Sequence, residues 1–390
     1  MINFVADYWA TKKHYSFVKR HKGKIALGAL VATGGGLYLA SDSIRSILTG
    51  EETSSATASA LKAVRLQARK SYVFDSNQRS CDDSVLELLP QIERKLRERF
   101  KVDELADRLR NEEVGQEEKV QLWNSMCKLA IARVLAGAYA YTLVLLGLKT
   151  QISILSGRIY RESVEASSAE DSLLSRFYQW AGWQEAHEMA TRQREASKTQ
   201  QVFLQCVQYF SSQGLELLCQ RVDTVAAQIS QDLSLKQPLS LESLRELLAE
   251  GRRLFEPTDL RNFSYYLVPL TASQDAFSGT VVAAASQGEE ETTQLEELLA
   301  SYKHILESER CRQLTSLCVD RFLEELYTDV SEASDELKSG GEIALAKLIP
   351  ILSNGFATIG DCDDLDGAVH ELLAGVQLQQ FATEVFDNRI

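Results

Sequence analysis

Apolar residues recur along most of this chain three and four positions apart, and long stretches of strict alternation are scarce, so the pattern favours helices over strands. Val85, Leu88, Leu89, Ile92, Leu96 and Phe100 lie on one face with charges opposite, and Ser84 stands where an N-cap belongs, which predicts a helix over 84–100. A short helix follows and ends near Asn111, an acidic loop runs to Glu118, and a long helix begins around Lys119. Its stretch 134–148 carries no charge between Arg133 and Lys149, and the apolar pattern continues through Ile152, Ile154, Leu155 and Ile159. Fifteen residues suit a buried core helix better than a membrane span, so one long central helix packed on all sides is expected. Further helices are predicted over 201–231, 240–255, 293–337, 341–354 and 366–386, with a weak capping box of Ser240 and Ser243 and a long loop over 256–292. Only five prolines interrupt the chain. The expected fold is all-α, a single large bundle of long helices over 61–390, preceded by an N-terminal transmembrane helix.

That transmembrane helix is read from residues 25–41, an uncharged run bounded by Lys24 and Asp42 and slightly short for a span unless Lys22 and Lys24 snorkel. Gly34, Gly35 and Gly36 suit a membrane helix better than an aqueous one. Residues 1–24 form a basic targeting segment and 42–60 a polar linker. A cleaved secretory signal competes, because a basic stretch precedes the apolar run. Its long leader and the cysteines of the body argue against it. The positive-inside tendency would keep the N-terminus in the cytosol and send the body across, whereas the cysteines keep the body in the cytosol.

Charge narrows the partners. Six cations against Asp7 give the first 24 residues a net charge of +5, leaving −18 on the rest of a chain whose total is −13. A body this acidic is a poor nucleic-acid binder. Seven cysteines, odd in number and scattered through apolar helical patterns, fit reduced core thiols, and the five histidines lie far apart, so neither a metal site nor a cofactor is expected. Asp361, Asp363, Asp364 and Asp366 lack the glycine and terminal glutamate of a calcium loop and read as a solvated helix cap. Trp180 and Trp183 read as part of a packed helix. No phosphate-cradling, dinucleotide, zinc-protease or serine-hydrolase motif occurs, so the chain is expected to act by binding and not as an enzyme.

On the long helix, Val120, Cys127, Ile131 and Val134 mark one apolar face, assigned to the core. Lys119, Trp123, Met126 and Ala130 fall together on an adjacent face. Tryptophan and methionine beside a lysine stem suit an incoming amphipathic helix, and the same residues could equally complete the core.

The run ARKSYVFDSNQRSCDDSVLELLPQI over 68–92 closely resembles the signature of the peroxin 3 family, carried by Tyr72, Phe74, Ser76, Asn77, Gln78, Arg79 and Cys81. FVKRHKGKI, KVQLW, SGRIY, LSLKQPLSLESL and LAKLIPILSNG extend the resemblance over nearly the whole chain. It implies a helical domain on the cytosolic face of the peroxisomal membrane, held by a single N-terminal anchor whose N-terminus faces the matrix. It also implies docking of peroxin 19, the soluble receptor for peroxisomal membrane proteins, through a short amphipathic helix laid in a groove. The groove residues carried over are Trp123, Lys119 and Leu109, with Met126 where the family often has leucine. The loop before Lys119 looks longer than in the family, and 168–198 reads as an insertion or divergent region. A membrane-anchored tether for cytoskeletal or inheritance factors is the alternative reading.

Overall fold

The computed structural model describes residues 55–110, 115–166, 200, 203–259, 263–269 and 289–390. The expected basic segment, the transmembrane helix, Trp180 and Trp183 lie outside the described residues. Two compact units divide the chain, 1–69 and 70–390; of the first, residues 55–69 are described and are helical throughout.

Helix α1 spans Ser55–Arg99 and runs straight through Ser84, where the sequence predicts a start. Instead of capping, the Ser84 hydroxyl donates to the Ser80 carbonyl one turn back, at 2.9 Å, so no orphaned backbone group marks an end there. Pro90 lies inside the same helix at an exposed position. Helix α2, Val102–Arg110, is set off by a single turn at Phe100 and Lys101.

The centre of the larger unit is α3, Gln116–Ala166. Every residue from 130 to 151 is buried, including the uncharged run that could have been taken for a second membrane span. A helix that is apolar all round needs neighbours all round. Among the described residues these include α1, α2, α5 (Leu215–Ser230), α8 (Glu289–Leu306), α9 (Glu309–Glu332), α11 (Leu345–Gly355) and α13 (Val376–Phe386). Between them lie α4 (Cys206–Tyr209) with a π-turn over Phe210–Gly214, α6 (Leu241–Asp259), α7 (Phe263–Leu267), α10 (Asp335–Lys338) and α12 (Ala368–Ala374).

The expected helix over 240–255 is present and longer, and Ser240 does cap it: its Oγ accepts from the Ser243 amide at 3.1 Å. The expected loop over 256–292 is too broad, since both α6 and α8 reach into it and α7 lies within it. One small departure from an all-helical chain is an antiparallel pair of two-residue strands, β1 (Pro238–Leu239) and β2 (Ile343–Ala344). Gly375 is extended and splits the expected helix over 366–386 into α12 and α13.

Candidate docking site

The walls of the candidate site are α2 and the first turns of α3. Helix α2 carries Asp103 and Glu104 in its first turn and Arg108 and Arg110 in its last, the arrangement its dipole favours. Its position is fixed at both ends. At the inner end the fully buried guanidinium of Arg133 reaches Asp103 Oδ2 at 3.0 Å and donates to the Ser353 carbonyl at 3.2 Å and to the Ser353 hydroxyl. The same guanidinium lies over the Phe356 ring, 5.0 Å from its centroid. Burial lowers the Arg133 pKa from its ordinary value and Asp103 opposes that shift, so a single residue joins α2, α3 and α11. At the outer end Arg108 pairs with Glu118 of α3 at 3.2 Å.

Between these ties, Leu105, Ala106 and Leu109 of α2 pack half-buried against the core, as does Trp123 of α3. Leu122 and Met126 are buried beneath. Leu109 thus stands on α2 and Trp123 on α3, the two helices packed together, and Lys119 is half-buried with no side-chain hydrogen bond or ion pair among the described residues. Two expectations are corrected. Val120, assigned to the core, is 53% exposed, because residues 115–118 and 121 are exposed with it and the first turns of α3 stand clear on that flank. Met126, assigned to the binding face, is only 2% exposed, and Ala130 is buried too, so both belong to the core.

The signature over 72–81 is internal in part: Tyr72 and Arg79 are exposed, while its other members turn inward. Asn77, Gln78 and Cys81 are buried, and Phe74 packs edge-on against Phe386 with centroids 5.4 Å apart. Gln78 Nε2 donates to Ser153 Oγ at 3.1 Å, while its Oε1 accepts from Lys149 Nζ at 2.9 Å. The ammonium of Lys149, with no exposed side-chain surface, also lies 2.5 Å from Asp82 Oδ1. Burial raises the Asp82 pKa, and Lys149 opposes the rise. Arg133 and Lys149, which in the sequence merely bound an uncharged run, are buried charges that fasten the central helix to α2 and α1. Their only advance signal was their place at the ends of that run.

Among the described residues no cluster of His, Cys, Asp or Glu could hold a metal ion. The four aspartates of 361–366 form local turns, with the Asp363 amide donating to Asp361 Oδ1 at 2.8 Å and the Asp366 amide to Asp364 Oδ1 at 3.0 Å. Gly367, not an aspartate, precedes α12 as its N-cap.

The pattern that defines the Peroxin-3 family matches residues 110–388, which takes in Trp123, Lys119, Met126 and the helices α3 to α13. This chain belongs to the peroxin-3 family. Similar relatives are the peroxisomal biogenesis factor 3 of Rattus norvegicus, 24% identical over 400 residues, and that of Homo sapiens, 24% identical over 401 residues. That of Cricetulus longicaudatus is 25% identical over 401 residues. Each alignment covers 96% of this chain and 96% of the relative. The signature with Gln78 and Cys81 and the α2 residue Leu109 lie upstream of the family match, inside the stretch the full-length relatives share.

Proposed function

We propose that this peroxin-3 family member is a peroxisome biogenesis factor of the peroxisomal membrane that docks peroxin 19. In this reading residues 25–41 anchor the chain by a single span, the basic residues 1–24 lie on the matrix side, and the helical body faces the cytosol. The mechanism is binding alone. A partner's amphipathic helix lies over the α2–α3 pair, Trp123 and Leu109 take up its apolar side chains, Met126 forms the floor beneath them, and Lys119 faces its polar rim.

The observation that carries the reading is Trp123: a large aromatic left half-exposed on a wall whose backing is core. A side chain of this kind pays little ordering entropy on binding and brings much apolar area, which is why tryptophan recurs as an interface anchor. The test is titration of the full chain in detergent micelles with the N-terminal segment of peroxin 19, beside Trp123→Ala. Loss of about 2–4 kcal/mol of binding is expected, roughly 30- to 1,000-fold in Kd, with an unchanged helical spectrum. Equal affinity of a folded Trp123→Ala variant would remove the site.

A further inference from the structure

The docking reading names Trp123, Leu109 and Lys119, yet the side chains that stand clear on α3 are arranged more specifically than that reading needs. At 100° per residue, Lys119, Trp123, Val120 and Glu117 follow one another around the helix in that order, over about 160° of its circumference and about 9 Å of its length. The two inner members are apolar, one half-exposed and one the most exposed large apolar residue among the described side chains of the helix. The two outer members carry opposite charges, and neither makes a side-chain hydrogen bond or ion pair among the described residues. Nearby charges are already matched: Glu118 by Arg108, Asp107 by Arg110 at 2.9 Å, and Lys128 by Asp223 at 3.1 Å. Glu117 also favours the helix dipole as a first-turn acid, as its neighbour Glu118 does; only Glu117 is left with its carboxylate uncommitted.

We propose that Val120 and Glu117 extend the docking face, and that the strip Lys119–Trp123–Val120–Glu117 fixes the orientation of the partner helix. The inference rests on the docking reading. The occupant it requires is an amphipathic helix with an apolar stripe, an acidic residue along the edge that meets Lys119 and a basic residue along the edge that meets Glu117. A helix laid the other way round would bring like charges together on both edges. Charges so placed contribute more to register and partner choice than to raw affinity.

The experiment is titration of the full chain in detergent micelles with the N-terminal segment of peroxin 19, across Val120→Ser, Lys119→Glu, Glu117→Lys and the double swap Lys119→Glu/Glu117→Lys, each checked by thermal melting. Val120→Ser is expected to weaken binding about fivefold, and each single reversal about three- to tenfold at low salt, with the charge effects shrinking at high salt. The double swap keeps the net charge and inverts the polarity, so it is expected to take the segment in the reversed direction, read by crosslinking from a cysteine at one end of the segment. Wild-type affinity of the double swap with the segment still in its original direction would mean that only net charge counts, and would overturn the orientation claim. Wild-type binding by both Val120→Ser and Glu117→Lys, with Trp123→Ala defective, would overturn the strip and leave the docking site standing. Failure of the wild-type chain to bind the segment takes down both.

Discussion

A lysine buried on every side depends wholly on the groups brought to its ammonium. Lys149 finds the Asp82 carboxylate and the Gln78 amide, both delivered by one face of α1. Truncation to alanine would leave Asp82 uncompensated in a largely dry setting. We expect Lys149→Ala to lower unfolding free energy by about 2–3 kcal/mol, below the figure for a fully buried pair because Asp82 keeps some contact with water. The double variant Lys149→Met/Asp82→Asn should recover part of that loss, since neither residue is then a bare charge. Urea unfolding of the three proteins checks this, and a wild-type midpoint for Lys149→Ala would show that the pair is inert. The signature was recognisable in the sequence, but its task was not: Gln78 carries no mark of burial, because its partners Lys149 and Ser153 lie some seventy positions downstream. The Val120 and Met126 corrections have a similar source. Helical spacing fixes the angle between two side chains, while burial depends on where the neighbouring helix stops.

Helices end where backbone groups can be satisfied otherwise, and the C-terminus illustrates this well. The Arg389 amide reaches back to Glu384 O at 2.9 Å and the Asn388 amide to Val385 O at 3.0 Å, with Asn388 at φ 57°, the left-handed cap that closes α13. Its last carbonyl, Phe386 O, accepts from Arg161 at 3.0 Å, and Lys70 pairs with Asp387 at 2.5 Å. The approach of α13 to α3 requires Gly157, where an added Cβ would stand 2.3 Å from Phe386 O. A backbone carbonyl at that distance has to move, so Gly157→Ala should destabilise by about 1–3 kcal/mol despite its better helix propensity. Thermal melting is the measurement; a raised or unchanged midpoint would mean that α13 shifts freely. Of the elements themselves, the long central helix, α2 and the capped α6 were legible, since each is governed by its own periodicity or cap. The unbroken α1 and the split at Gly375 were not: Ser84 bonds back within its own helix where it could have capped one, and Gly375 turns extended inside an otherwise continuous helical pattern.

At the scale of the whole molecule, the all-helical core and the family were readable from the sequence, whereas the exact make-up of the docking face needed the relative placement of α2 and α3. Six of the seven cysteines are buried in this core. Burial pushes the thiols of Cys81, Cys206, Cys219, Cys311 and Cys318 from 9.0 up to about 12, and that of Cys127 to about 11. A thiol whose pKa is raised by folding holds its proton more tightly in the native state, so its contribution is complete below the unfolded value and is lost as pH climbs towards the folded one. Unfolding free energy should therefore fall between about pH 9 and pH 12, and the buried Tyr139, Tyr141 and Tyr302, shifted the same way, reinforce the trend. A flat urea midpoint across that interval would contradict this.

The same burial makes the native surface almost silent to thiol-directed reagents, with Cys362 alone half-buried. Replacing that one residue leaves a chain on which any newly introduced surface cysteine is the single reactive address, for a dye, a spin label or a crosslinker. The arrival of a partner helix, and the direction in which it lies, can then be followed on the intact chain without stripping the core of its own sulfur.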